Sequence, residues 1–314
     1  MFPRITKTQK NIFLKIQNDQ IIKAPIRLLA TKNFIIFALK DVGPYYLMNT
    51  NKSTYNLGVA LSGGGAKGFA HLGVLQALNE KGLYPDIISG TSAGAFAGAL
   101  YADGYTPEEI ISFFKKKVFR EFAEFAIPHG GFFKSEGFNT FLKKYLKAKN
   151  FESLKFPLYV VATDIEYGES HIFKSGPLIP AVVASCSVPI VFRPVKINDH
   201  YYVDGGLLKN FPVSTIRREC RTIIGVNVSP IKKSEFRSSI KYIAERSFHY
   251  MSGSNTLLDR NLCDYLIEST SLSQYSMFDL DHVEDIFQAG YKLTMEFFED
   301  KKESLIKDFP NIIS

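Results

Sequence analysis

The stretch LSGGGAKGFAHLG, residues 61–73, decides how this chain is read. Four glycines and a lysine fall within residues 63–68, directly behind LGVAL (57–61), an apolar run of the length of a buried strand. From Lys67 to Lys81 the spacing of Ala70, Val74, Leu75 and Leu78 predicts a helix, with Gly82 suited to its end. A strand, a glycine loop and a helix N-terminus together hold anions. A Walker loop needs Ser or Thr after its lysine, and here Lys67 is followed by Gly68. Gly63, Gly65 and Gly68 satisfy the G-x-G-x-x-G spacing of dinucleotide sites. No acidic residue at a strand end follows, because Glu80 falls inside the helix and Asp86 at a strand start. An oxyanion hole fits better. The backbone N–H groups of Gly63, Gly64, Gly65 and Ala66 can converge on one point, and Lys67 adds positive potential.

GTSAG (90–94) matches G-x-S-x-G where the strand DIISG (86–90) must turn into the small-residue helix SAGAFAGALYADG (92–104). Gly90 and Gly94 let the backbone crowd that turn, which exposes Ser92 at a helix N-terminus, where the helix dipole favours negative charge. An activated serine needs a base. Of the six histidines, His200, His249 and His282 lie far enough downstream, whereas His71 reads as a packed helix residue. The other candidate is Asp204 in VDGG (203–206), where Gly205 and Gly206 let the chain bend away from a strand end.

Further strands are expected at 157–166, 170–174, 200–204 and 222–228. Helices are expected from Thr106 (a capping box with Pro107 and Glu109), from Pro180 to Ser187, from Pro212 to Cys220, and through most of 231–308. Strands alternate with helices, so the class is α/β with a mostly parallel sheet.

Composition narrows the function. The 314 residues are 46% hydrophobic, enough for one large core. Residues 1–56 hold nine Lys/Arg against two Asp, which accounts for the whole formal net charge of +7. The body is therefore neutral on balance and has no electrostatic motive for nucleic acid. The basic N-terminal extension interrupts every apolar run with charge, so it is neither a secretory signal nor a span. Met48 offers an alternative start, with the upstream segment an over-extended reading frame. Cys186, Cys220 and Cys263 are scattered and form no CxxC pair, which points to a reduced cytosolic setting without disulfides or zinc. Residues 113–133 interleave seven phenylalanines with Lys115, Lys116, Lys117 and Arg120. That pattern suits transient contact with a membrane surface or a flap. The plainer reading makes Phe114, Val118, Phe122 and Phe125 the buried face of a helix.

Glycine loop, serine elbow and Asp-Gly-Gly stand in this order, each at an expected strand end. In this the sequence resembles the patatin-like phospholipases, through G-G-G-x-[KR]-G at Gly63–Gly68, G-x-S-x-G at Gly90–Gly94 and D-G-[GA] at Asp204–Gly206. ASCSVPIVFRP (184–194) and QAGYK (288–292) add to the likeness, which is good over 57–230 and looser to about 295. The resemblance implies a three-layer α/β/α fold over residues 57–314, with a helical part at 231–308. It further implies a Ser92–Asp204 dyad with Ser92 as nucleophile and Asp204 as general base, an oxyanion hole in the glycine loop, and a lipid or phospholipid ester as substrate. No cofactor or metal is implied. Two alternatives remain: a His-dependent esterase for small soluble esters, and a catalytically idle lipid-binding protein of the same fold.

Overall fold

A computed structural model describes residues 26–31, 34–39, 53–115, 136–233, 235–236, 238–277, 279–310 and 312. The chain divides into two compact units, Met1–Met48 and Asn49–Ser314. Within the first, β1 (Ile26–Thr31) and β2 (Phe34–Leu39) form an antiparallel ladder of their own inside the segment expected only as a basic extension.

The larger unit is built on an eight-stranded sheet. β3 (Tyr55–Leu61), β4 (Ile87–Thr91), β5 (Leu158–Asp164), β9 (Cys220–Asn227) and β10 (Tyr265–Glu268) run parallel in the order β10-β9-β3-β4-β5. β6 (Glu169–Phe173), β7 (Val195–Ile197) and β8 (His200–Asp204) add antiparallel pairings beyond β5. The central strands are near-continuous apolar runs because both faces are covered. On one face Val59, Leu61, Ile88, Val160 and Val226 pack under α1 (Phe69–Glu80), α2 (Ala93–Ala102), α3 (Pro107–Lys115), α4 (Glu136–Tyr145), α5 (Leu178–Ser185) and α8 (Val283–Asp308). On the other, Ala60, Ile87, Tyr159 and Ile223 meet Phe211, Val213 and Ile216. α6 (Ile240–Ser254) and α7 (Leu257–Arg260) complete the described helices. The architecture is the expected α/β fold with a mostly parallel central sheet.

α1 is buried almost all round because α8 lies along its outer side. Gly73 on α1 faces Phe287 O, and Gly290 on α8 faces Ala70 O, so a side chain at either position would force the two helices apart. The capping box at α3 forms as read: Thr106 N–H donates to Glu109 Oε2 (2.8 Å) and Glu109 N–H to Thr106 Oγ1 (3.2 Å). Phe114 stacks on Phe141 and meets Phe69 edge-on, so the first phenylalanines of the 113–133 stretch are core. Residues 116–133 lie outside the described residues.

Three expectations are corrected. The segment Pro212–Cys220 is not a helix: only a short 3-10 turn forms at Val213–Thr215, and Cys220 opens β9. Its polar groups bond elsewhere. Ser214 N–H donates to Asp259 Oδ1, Thr215 Oγ1 to Pro212 O, and Arg217 to Leu262 O and Cys220 O, an alternative to helical bonding. Residues 231–308 are mostly helical as expected, but that reading lacks the strand Tyr265–Glu268, which joins the sheet edge as β10. Finally, α5 starts at Leu178, two residues before Pro180, which sits in the first turn where its missing N–H costs nothing.

Candidate active site

β5 brings the site together. Its residues 160–161 pair with β4 and β6 at once, and residues 162–164 pair with β6 and β8 at once. A strand has two edges, so β4 and β8 must share one edge of β5 while β6 takes the other. β4 is parallel to β5 and ends at Thr91, opposite Val161; β8 is antiparallel and ends at Asp204, opposite Ala162. Two strand C-termini therefore meet head to head. Ser92 and Asp204, far apart in sequence, fall on either side of that junction.

Ser92 sits between β4 and α2 with φ 52° and ψ −120°, a conformation that L-residues adopt only under constraint. The constraint is visible. Ser92 N–H donates to Ser185 Oγ (2.8 Å), and that hydroxyl donates on to Val161 O (2.6 Å), so α5 pins the turn to β5. Phe96 N–H and the Cys186 thiol both donate to Ser92 O. The turn is also too tight for side chains beside it. A Cβ at Gly90 would lie 2.6 Å from Ala95 N, and one at Gly94 would strike Leu61 O. The result is a serine hydroxyl directed away from the helix and toward β8.

There it donates to Asp204 Oδ2 at 2.6 Å. Asp204 is fully buried, and its other oxygen accepts from Gly206 N–H at 2.7 Å. Gly205 is packed so close under Val161 O that the chain turns away at once. Burial pushes the carboxyl up to about 7, and the hydrogen bonds from Ser92 and Gly206 hold it partly back. An aspartate so placed takes up a proton far more readily than one in water.

The glycine loop follows β3 as a 3-10 turn, Gly65–Gly68, that runs into α1. Its four expected donors divide. Gly63 N–H donates to Asn210 O (2.9 Å) and Ala66 N–H to Met277 O (2.8 Å), so these two amides anchor the loop. The amides of Gly64 and Gly65 have no acceptor among the described residues, and both glycines line the cleft beside Ser92. Gly65 has φ 59° and lies against Met277 O, where a Cβ would clash. Gly68 packs on Ala93, which joins the loop to the serine turn. Lys67 is buried, and its Nζ donates to Ser229 Oγ at 3.1 Å. Burial, and then repulsion from Arg246, lowers its ammonium to about 8.

The cleft has a volume of about 310 Å³ including its open mouth. Ser92, Asp204 and Gly63–Gly65 form one side, and Phe248, His249 and Ser252 of α6 another. Sequence reasoning missed Ser185, Asn210, Ser229 and Asn255. Asn255 Nδ2 bonds Gly206 O (3.1 Å), and its Oδ1 accepts from Asn210 N–H (2.8 Å), tying the end of α6 to the Asp-Gly-Gly turn. Ser185, inside the quoted ASCSVPIVFRP segment, and Asn210, six residues past Asp204, were the ones that lay near recognised motifs.

The histidines separate cleanly. His71 is buried, pushed down to about 4, and bonded through Nε2 to Ser62 O (2.8 Å), which makes it the packed helix residue expected. His200, at the start of β8, pairs across the strands with Asp164 at the end of β5 (2.9 Å), and His282 pairs within a turn with Asp279 (2.6 Å). Among the described histidines only His249 lines the cleft, and both its nitrogens are engaged. Arginine only donates, so Nδ1 accepts from Arg246 (3.0 Å); a carbonyl only accepts, so Nε2 carries the proton toward Ser229 O (3.3 Å). Asp164, Glu166 and His200 cluster at metal-ligand spacing. Their oxygens already accept from the Glu166, Tyr167 and Tyr201 amides and from His200.

The chain is similar to known proteins. A patatin-like phospholipase domain-containing protein, ZK370.4 of Caenorhabditis elegans, is 32% identical over 189 residues, which is 57% of this chain and 14% of that protein. Lysophospholipase NTE1 of Saccharomyces cerevisiae is 33% identical over 240 residues, 71% of this chain and 14% of that protein. The chain thus spans about one seventh of the length of these curated relatives. VipD from Legionella pneumophila, a solved structure, aligns with a TM-score of 0.44 at 15% identity, covering 90% of this chain and 73% of that one. The patatin-like phospholipase family model matches residues 59–216, from β3 past the Asp-Gly-Gly turn and so through all three motifs, and the chain belongs to that family.

Proposed function

We propose that this chain is a lipid acyl hydrolase, of phospholipase A or lysophospholipase type, working through a Ser92–Asp204 dyad. The observation that carries the reading is the 2.6 Å bond between Ser92 Oγ and the buried Asp204 carboxylate. Ser92 Oγ attacks the ester carbonyl carbon while its proton passes to Asp204 Oδ2. The carbonyl oxygen gains the negative charge and lies against the free amides of Gly64 and Gly65. The tetrahedral species collapses, the C–O bond to the leaving alcohol breaks, and Asp204 gives its proton to that oxygen. Water then attacks the acyl-enzyme, Asp204 accepts the water's proton, and Ser92 recovers it as the acid departs. A carboxyl near 7 suits both directions of transfer.

The family and the lysophospholipase among the relatives favour a lipid as substrate. The surface around the cleft favours one too. On the outer side of α6 and α7, Ile240, Ile243, Tyr250, Met251 and Leu258 are exposed, Ile240 at 88% and Leu258 at 70%. Ile190, just beyond the cleft residue Val188, stands out at φ 72°, an outlier for a β-branched side chain. Apolar residues beside a cleft, with Lys232, Lys233 and Arg246 nearby in sequence, suit transient contact with a membrane surface. Among the described residues no helix is long and apolar enough to cross a membrane.

The test uses two substrates, p-nitrophenyl butyrate and a lysophospholipid. Ser92→Ala and Asp204→Asn should each lower kcat on both by about 10³-fold or more, with the fold intact by circular dichroism. Substantial activity in either variant ends the dyad proposal. Loss on the butyrate ester with no wild-type turnover of any lipid ends the lipid assignment.

A further inference from the structure

We infer that the Ser229 hydroxyl is a third donor to the oxyanion, set in place by Lys67; this rests on the dyad reading above. Three observations carry it. First, Ser229 follows β9 and lines the cleft together with Ser92, Gly64 and Gly65. It is adjacent to the free amides, since a Cβ at Gly64 would lie 3.6 Å from that of Ser229. Second, Lys67 Nζ lies 3.1 Å from Ser229 Oγ. An ammonium has donors only, so the hydroxyl must accept there, and its own proton must point elsewhere. Among the described residues no acceptor takes that proton, and the cleft is the open side. Third, the backbone of Ser229 is fixed at both ends: its N–H donates to Asn227 Oδ1 (3.2 Å) and its carbonyl accepts from His249 Nε2 (3.3 Å). The hydroxyl is held in place before substrate arrives.

The arrangement also accounts for Lys67. Among the described residues no carboxylate pairs with this buried ammonium. A buried cation without a counter-charge is costly, and it stays charged more easily if negative charge appears near it. Here that charge is the developing oxyanion. Lys67 does not line the cleft and so acts through Ser229: it withdraws electron density from Oγ and makes its O–H a stronger donor. Lys67 is a positioning residue and Ser229 the group that touches the reacting oxygen. The family likeness placed a cation at this position, whereas the serine it addresses lies 162 residues away.

The experiment is steady-state kinetics on p-nitrophenyl butyrate, which has no phosphate, alongside a lysophospholipid. Ser229→Ala should lower kcat by about 10²- to 10³-fold on both substrates with KM little changed, as for loss of one oxyanion donor. Ser229→Thr, which keeps a hydroxyl, should recover most of it. Lys67→Met should lower kcat similarly, and adding it to Ser229→Ala should cost little more, since the two act as one unit. An unchanged kcat in Ser229→Ala overturns the inference. So does a loss confined to the lysophospholipid, which would assign the hydroxyl to a phosphate headgroup. If Lys67→Met fails to fold, the alanine–threonine pair still decides. Failure here leaves Ser92→Ala inactive, whereas an active Ser92→Ala would remove the reading on which the inference stands.

Discussion

The two walls of the cleft are built differently. The inner wall, from Gly63 to Gly65, Ser92 and Asp204, lies at the C-terminal ends of strands, is mostly buried, and is held by hydrogen bonds to the surrounding elements. The outer wall is one helix, α6. It touches the cleft through Phe248, His249 and Ser252 and leaves Ile240, Ile243 and Tyr250 in solvent. The inner wall stores strain at Ser92 and a desolvated carboxylate, features that need a rigid frame. The outer wall keeps apolar surface that a self-sufficient core would have covered. The rigid, buried groups and the exposed apolar surface thus stand on different elements, joined where Asn255 bonds the Gly206 carbonyl and His249 that of Ser229.

The largest effect should be on the inner wall and on stability rather than rate. Folding raises the proton affinity of Asp204, so this group favours the folded state fully below about pH 4, and that advantage is lost as pH climbs through about 7. Between an ordinary aspartate near 3.9 and about 7 lies at most about 4 kcal/mol. Asp204→Asn should therefore melt higher than wild type at pH 8, with the gap closing toward pH 4, as differential scanning calorimetry would show. A variant less stable than wild type at pH 8 would mean that the carboxylate is not held at a cost. The next effect is on activity. In the proposed dyad the same group must be ionised to accept a proton, so kcat/KM should fall about tenfold per pH unit below about 7, nearly 100-fold by pH 5. An acid limb near 4 would contradict the buried base. The smallest effect belongs to the outer wall. Ile243→Asp with Met251→Asp should reduce hydrolysis of anionic vesicles by about tenfold while p-nitrophenyl butyrate turnover stays within twofold. Equal losses on both substrates would show that α6 serves the chemistry and not the interface.

Much of the inner wall was legible because its chemistry demands residue types with few substitutes. Gly90 and Gly94 mark a turn too tight for side chains, and the Asp-Gly-Gly run marks a strand end that bends away. Order along the chain and family likeness then joined Ser92 to Asp204. The pairing itself depends on β4 and β8 meeting on one edge of β5, a long-range fact with no local signal. The division of amides, with Gly63 and Ala66 tying the loop down and Gly64 and Gly65 left free, was equally hidden, since it depends on the carbonyls of Asn210 and Met277. Pro212–Cys220 misled because its apolar spacing is helical while the Ser214 N–H and the Arg217 side chain bond to neighbours brought by tertiary structure. β10 was overlooked because four residues carry little periodicity.

The most direct measurement is the rate and site of labelling by a fluorophosphonate, which forms a stable adduct only with an activated serine. Wild-type protein should acquire one adduct, found by mass spectrometry on the peptide bearing Ser92. The rate should fall by about 10³-fold in Asp204→Asn and stay unchanged in His200→Ala and His282→Ala. Labelling of another serine, or an undiminished rate in Asp204→Asn, would contradict the Ser92–Asp204 dyad.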